Sequence, residues 1–314
     1  MNQNRRKFLK KGIIATLGSF VIPKMLLADE DKNQSFILRP DPNSWQDDDI
    51  NIAWIGHATI LINFYGTIIL TDPVLLKRVG QRVLGLTFGP SRIVPPALAI
   101  DDIPKPDIIL LSHAHFDHTD YSTLEKLTNK FPNEIDVVVA MLTKDVIDDL
   151  KWKSITIMDW KDVKEVSGIK LTAIETKHFG WRFPWEKDRS RGFMKDGRSY
   201  NAYLLEKNGK GILFGGDTAM TDKYEIVKDE NVDVAIMPIG AYNPWTDVHC
   251  NPEEALTMAS NIGARFFIPI HCKTFKLGAE PYDEPIEWLN KSEKNYKLSL
   301  GLDTIGGTFT LKNS

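Results

Sequence analysis

The sequence predicts a layered α/β fold in which two β-sheets pack face to face with helices on their outer surfaces. Three observations carry this. Short β-branched apolar runs recur from residue 51 onward, they fall into two sets along the chain, and helix-length stretches separate or trail the runs of each set. The first set of strands is expected at 52–55, 59–64, 67–71, 107–111, 137–140, 155–158 and 170–175. The second is expected at 201–205, 211–214, 234–237, 266–268 and 308–311. Helices are expected at 121–129, 143–150, 221–228, 252–262 and 285–292. Asn251 marks one of the starts, because its side chain can accept from free backbone N–H groups and Pro252 after it has a preset φ. There is no short-period repeat. The stretches 75–96 and 179–200 lack any regular period and mix aromatic, apolar and arginine residues, a composition usual in functional loops of compact domains.

A chain of 314 residues suits one large α/β domain or two fused halves. With 42% hydrophobic and 26% charged residues it can bury a core without disulfide or metal staples. The net charge of −3 offers no general attraction for polyanions, so a nucleic-acid partner is not expected. Composition does not set the oligomeric state. The two cysteines, Cys250 and Cys272, are too few for a disulfide framework, and each directly follows a histidine. Two reduced, half-buried thiols are the expectation, with a disulfide as the alternative if those histidines meet in an oxidising compartment.

Residues 1–28 read as a separate segment, with a basic start and an apolar run broken by Pro23 and Lys24. That run is short for a membrane span of about 20 apolar residues. Arg5-Arg6-Lys7-Phe8-Leu9-Lys10 resembles the twin-arginine export signal, with Asn4 where Ser or Thr is usual. The chain is thus expected to divide into an export signal (1–28), an N-terminal extension (29–50) and the main folded domain (51–314), and to be periplasmic or secreted. An uncleaved membrane-associated N-terminus is the alternative.

Seven histidines serve the whole chain, yet LSHAHFDHTD, residues 111–120, holds three of them with an aspartate between. The cluster directly follows an apolar strand, where open β layers place their ligands. His113 and His115, two residues apart, can meet one cation, and Asp117 and His118 can turn to a second. Imidazole with carboxylate suits zinc or another first-row divalent ion. Without a cation, several buried imidazoles side by side would be hard to satisfy. His178, Asp217 and His271 each follow a predicted strand end, and the glycines of GGDT allow close backbone approach at Asp217. His57, in GHAT between two strands, and Asp72 are expected to orient the ligands.

The segment His113-Ala114-His115-Phe116-Asp117-His118 matches the HxHxDH motif, and the chain from about residue 51 to 275 resembles the metallo-β-lactamase superfamily, in its branch of phospholipases D that hydrolyse N-acyl-phosphatidylethanolamine. The likeness includes WIGHAT, TDP, GPSR, GGDT, PIGAY and the His249 segment. It implies a four-layer αββα sandwich with two mixed sheets and helices outside. It implies two zinc ions, one held by His113, His115 and His178, the other by Asp117, His118 and His271, with Asp217 bridging. Asp117, Asp217 and His249 form the implied catalytic set, His249 touching the substrate phosphate. Two cations about 3.5–4 Å apart would activate a water by lowering its pKa from about 15.7 towards 7, giving hydroxide to attack phosphorus. No GxSxG elbow offers a covalent route.

The implied products are phosphatidic acid and an N-acylethanolamine. Apolar and basic residues of 75–94, with Phe179, Trp181, Phe183 and Trp185, could contact acyl chains and head groups at a peripheral membrane contact, and a plain packing role for the aromatics stands beside that. The fold alone also admits a lactone, another ester or a nucleotide diester as substrate. A di-iron oxidoreductase is disfavoured by His115, where flavodiiron proteins generally carry glutamate. A non-catalytic metal-binding protein is disfavoured by the full set of seven ligands.

Overall fold

Every strand expected from the apolar runs is present in the computed structural model of the protein, which describes residues 38–191 and 196–313, all within one compact unit. The chain enters at β1 (Ile50–Gly56), β2 (Thr59–Phe64) and β3 (Thr67–Thr71), then forms a projecting hairpin of β4 (Gln81–Val83) and β5 (Leu86–Phe88). It continues through β6 (Ile108–Leu111), α1 (Tyr121–Lys130), β7 (Asp136–Ala140), β8 (Ser154–Met158), β9 (Val163–Val166) and β10 (Ile169–Glu175). The second half adds β11 (Asn201–Lys207), β12 (Lys210–Phe214), β13 (Val234–Pro238), α2 (Pro252–Asn261), β14 (Phe266–Ile270), α3 (Glu284–Ser292), β15 (Ser299–Leu300) and β16 (Thr308–Leu311).

Two seven-stranded mixed sheets result, ordered β16-β1-β2-β3-β6-β7-β8 and β15-β14-β13-β12-β11-β10-β9. Each combines an antiparallel part with a parallel part. Sheet membership departs from the grouping expected along the chain in two places. Strand β10, grouped with the first set, belongs to the second sheet, because the turn at Ser167-Gly168, both at positive φ, folds it back on β9. Strand β16, grouped with the second set, crosses back to pair antiparallel with β1.

The layers follow from side-chain alternation. In β1, Ile50, Ile52 and Trp54 enter the core between the sheets, while Ala53 and Ile55 point to the outer layer shared with Leu124 and Leu127 of α1. Both faces are buried, which is why these strands read as continuous apolar runs. Asp120 caps α1 by accepting from Thr123 N–H. Asn251 caps α2 as expected, in a reciprocal box with Glu254.

Two expected helices are only short 3₁₀ segments, Lys144–Val146 and Lys223–Val227. Both stretches are short and carry β-branched residues, the first with three aspartates as well, and tertiary bonds hold the turn instead. Trp152 Nε1 donates to Ile147 O in the first, and Tyr224 Oη donates to Gly215 O in the second. The fold also begins before residue 51, since β1 starts at Ile50 and Trp45 packs on the outer core. The export segment 1–28 and the start of the 29–50 extension lie outside the described residues. Among the described residues, no helix is long and apolar enough to cross a membrane. Cys250 and Cys272 are free and buried rather than half-buried. Cys250 Sγ donates to Pro238 O, and burial pushes both thiols up in pKa, so they stay protonated.

Candidate metal centre

The site lies where strands of both sheets end. From the first sheet come His57 in the β1–β2 turn, Asp72 after β3, and residues 113–118 after β6. The second supplies His178 after β10, Asp217 after β12, His249 ahead of α2, and His271 directly after β14. His57, Asp72 and His271 all adopt positive φ, an uncommon conformation for residues with a Cβ that concentrates at functional sites. Gly216 is at φ +57, and a Cβ there would lie 2.7 Å from Asn201 O and 3.0 Å from Ser112 Cβ. Glycine therefore lets the Asp217 loop close against the end of β6.

All the expected ligands converge. His113 Nε2 lies 2.9 Å from His115 Nδ1, which lies 3.2 Å from His178 Nε2. Their tautomers follow from the outer nitrogens. His178 Nδ1–H donates to Val248 O, and His113 Nδ1–H donates to Ser112 Oγ, whose own proton goes to Asp72 Oδ2. The Nε2 atoms of both rings thus carry lone pairs that face a common point, an arrangement that repels itself unless a cation sits among the nitrogens. Tetrahedral zinc with bonds of about 2.0–2.1 Å spaces its nitrogens by roughly 3.3 Å, close to these separations.

A second set faces the first across Asp217. Asp217 Oδ2 is 3.1 Å from both His118 Nε2 and His271 Nε2, and 4.0 and 3.9 Å from His113 Nε2 and His178 Nε2. Asp117 Oδ2 is 3.4 Å from His271 Nε2 and 3.8 Å from His118 Nε2. His118 Nε2, His271 Nε2 and Asp217 Oδ1 are buried and, apart from the His–Asp217 approaches above, have no hydrogen-bond partner among the described residues. Orphaned buried donors and acceptors of this kind fit a centre meant for cations.

The charges of the protein atoms alone point the same way. Burial would raise the Asp217 carboxyl, but His118 and His271 outweigh it and hold it well below the usual carboxylate range. Burial would lower His271, yet Asp217 and Asp117 lift it to about 9. His118 is likewise raised well above its ordinary value against the effect of burial. Protons on His118 and His271 thus balance the ionised Asp117 and Asp217, standing where cations would bind. His249 is pushed down to about 4, chiefly by burial, and is neutral.

A model of the beta-lactamase superfamily domain matches residues 67–272, most of the described chain. The chain belongs to the metallo-β-lactamase superfamily, a family of metal-dependent hydrolases. An uncharacterised protein of Mycobacterium bovis is 30% identical over 260 residues, 79% of this chain and 66% of its own length, so the chain spans just under two thirds of that relative. N-acyl-phosphatidylethanolamine-hydrolyzing phospholipase D 1 of Caenorhabditis elegans is 30% identical over 259 residues, 76% of this chain and 68% of that protein. The crystal structure of a possible metal-dependent hydrolase from Veillonella parvula shares the fold with a TM-score of 0.62 at 18% identity, over 84% of this chain and all of that one.

Within this metallo-β-lactamase fold, the two residues expected to orient the ligands both lie against them. Asp72 is fully buried and accepts from His118 Nδ1 at 2.6 Å, Ser112 Oγ at 2.5 Å and Ser112 N at 2.8 Å. His57 Nε2 donates to Asp117 Oδ2 at 3.1 Å. Sequence reasoning missed three supports. Ser112 bridges Asp72 to His113, and Thr274 Oγ1 accepts from His57 N–H at 2.7 Å. Arg182 donates through one nitrogen to Ala114 O at 2.5 Å and Thr119 O at 3.0 Å while lying over the Phe116 ring at 3.9 Å, clamping the histidine loop from outside. The available signal for Arg182 was its place four residues after His178 in an aperiodic arginine-bearing loop.

The aromatics of that loop divide between the two readings left open for them. Phe179 stacks on His178 and on Trp181, and lies 4.5 Å from the His115 ring, so this pair packs on the donor rings. Phe183 stacks on Trp185, which is 78% exposed.

Proposed function

We propose that the protein is a binuclear zinc phosphodiesterase of phospholipase D type, acting on N-acyl-phosphatidylethanolamine or a related phospholipid. The observation that carries this reading is the position of Asp217, whose Oδ2 stands between two converged donor sets. His113, His115 and His178 would hold one cation, Asp117, His118 and His271 the other, and Asp217 would serve both. The name of the C. elegans relative supports the lipid diester over other esters. When bound, two divalent cations supply Lewis acidity and acidify water at neutral pH.

The chain's own residues would do the rest. Asp72 and His57 fix the orientation of His118 and Asp117. Phe179 and Trp181 keep water from the outer side of His115 and His178. His249 Nδ1 is buried, has no hydrogen-bond partner among the described residues and lies 3.9 Å from Asp217 Oδ2. Being neutral, it would contribute a hydrogen bond to a phosphoryl oxygen rather than a charge. The twin-arginine-like segment supports a periplasmic or secreted setting, where the enzyme would meet phospholipid from outside the cytoplasm.

Purified protein, assayed for metal content, is to be incubated with N-acyl-phosphatidylethanolamine, a lactone and a nucleotide diester. Two metals per chain, with phosphatidic acid and N-acylethanolamine as products, are expected. One metal per chain refutes the binuclear reading, and turnover confined to the lactone or the nucleotide refutes the lipid one.

A further inference from the structure

Among the described residues, the β4–β5 hairpin stands apart from both sheets and pairs only within itself, Gln81↔Phe88, Arg82↔Thr87 and Val83↔Leu86. Cross-strand partners share a face, so one face carries Val83, Leu86 and Phe88 with the polar Gln81 at its base, and the other carries Arg82 and Thr87. The polar face turns to the protein, where Arg82 Nη1 donates to Glu125 of α1 at 2.8 Å. The apolar face turns outward. Val83 is 45% exposed, Leu86 65%, Phe88 60% and Leu84, at the tip, 98%.

The turn itself is unusual. Leu84 and Gly85 both adopt positive φ, +50° and +82°, a primed two-residue turn that asparagine-glycine fills best. A leucine there is costly to the backbone and buries nothing, so turn chemistry does not account for it. The stem is built to project: at its base, a Cβ on Gly80 would lie 2.0 Å from Phe88 O, and one on Gly89 2.1 Å from Val79 O. The surroundings are cationic. The cations free to meet a surface are the exposed Lys77 and the half-buried Arg78, in a stretch from Pro73 to Ile100 without an acidic residue; Arg82 is paired with Glu125, and Arg92 turns inward to Val74 O and Val94 O. Across an open cleft of about 540 Å³ from Gly80, Arg82 and Gly85 lie Phe116, Asp120 and Phe183, and Phe183 carries the exposed Trp185.

We propose that this hairpin is a membrane anchor, inserting Leu84, Leu86 and Phe88 among the acyl chains of an anionic bilayer while the neighbouring cations meet its head groups. Apolar side chains at a projecting tip, flanked by lysine and arginine, bind an interface through buried area plus attraction to anionic lipid. Charge favours the bilayer over a symmetric pair of hairpins, because such a pair would set the same lysine and arginine side chains against one another. Docked in this way, the cleft beside Phe116, which adjoins the histidine loop, opens toward the lipid. The inference deepens the lipid reading of the active site and rests on it for its purpose. Binding to vesicles is scored without turnover, however, so failure of one is distinguishable from failure of the other.

The test uses full-length protein carrying Leu84→Cys labelled with an environment-sensitive fluorophore, the two native thiols being buried. Asn208→Cys, in an exposed turn at the opposite strand ends, is the control. With vesicles of phosphatidylcholine and phosphatidylglycerol (3:1), the label at 84 is expected to shift to the blue and brighten, and the label at 208 to stay unchanged. The double variant Leu84→Asp/Leu86→Asp, checked for an unchanged unfolding temperature, is expected to weaken vesicle partitioning at least tenfold. Vesicle binding that leaves the label at 84 unchanged overturns the proposal, as does equal binding to pure phosphatidylcholine. A shift at 84 that follows protein concentration without vesicles overturns it in favour of self-association.

Discussion

Replacing Asp72 by Asn tests the outer support of the centre with little change of shape. Asparagine tolerates the left-handed backbone at this position, φ +33°, and has the volume of aspartate, so no cavity or strain is added. It removes one acceptor. Three donors, His118 Nδ1–H, Ser112 N–H and Ser112 O–H, converge on the two carboxylate oxygens, and an amide offers one oxygen and an NH₂ group that opposes a donor. Leaving one buried donor unpaired costs about 1–3 kcal/mol. Burial raises the pKa of Asp72 itself, so losing the charge relieves some desolvation and holds the cost to the fold near the lower end. At about 1 kcal/mol, a domain of this size loses roughly 2–4 °C of unfolding temperature. Metal affinity should fall further, by about 10–100-fold, because His118 is no longer held in one tautomer and orientation. Chelator competition measures this directly. Affinity within threefold of wild type would refute Asp72 as the residue that positions His118.

Three further predictions follow from the same geometry. Asp217→Asn should abolish turnover while leaving the fold mostly intact by circular dichroism, and retained activity would exclude the shared-carboxylate role. His249→Ala should lower turnover with both metals still bound, whereas loss of one equivalent of metal would make His249 a ligand. The metal-stripped protein should lose stability as pH rises, because His271 is protonated when folded up to about pH 9 but only to about 6.5 when unfolded. That contribution, about 3 kcal/mol at most, is complete below pH 6.5 and gone above 9, and metal affinity should rise across the same window as a proton is displaced. Chemical unfolding and chelator competition at several pH values check both slopes.

Strand positions were legible because both faces of these strands are buried, which leaves runs such as Ile108–Leu111 uninterrupted. Strand β9 was not, since Val163, Lys164 and Glu165 are exposed at a sheet edge and only Val166 is buried. The two false helices failed for the opposite reason, a helical spacing too short to stand without packing. The ligand set was legible through its motif and through strand ends. Arg182 was invisible because its meaning depends on Ala114, 68 positions away, and Ser112 because serine after a strand carries no signal until Asp72 reaches it.

The donor atoms are divided between the halves of the sandwich: His113, His115, Asp117 and His118 leave the first sheet, and His178, Asp217 and His271 leave the second. Each proposed cation therefore draws on both, and acts as a rivet through the end of two stacked plates. Neither half of the polypeptide carries a complete coordination sphere, so tight loading would register the seating of one sheet upon the other, and stripping the ions would slacken that rim first.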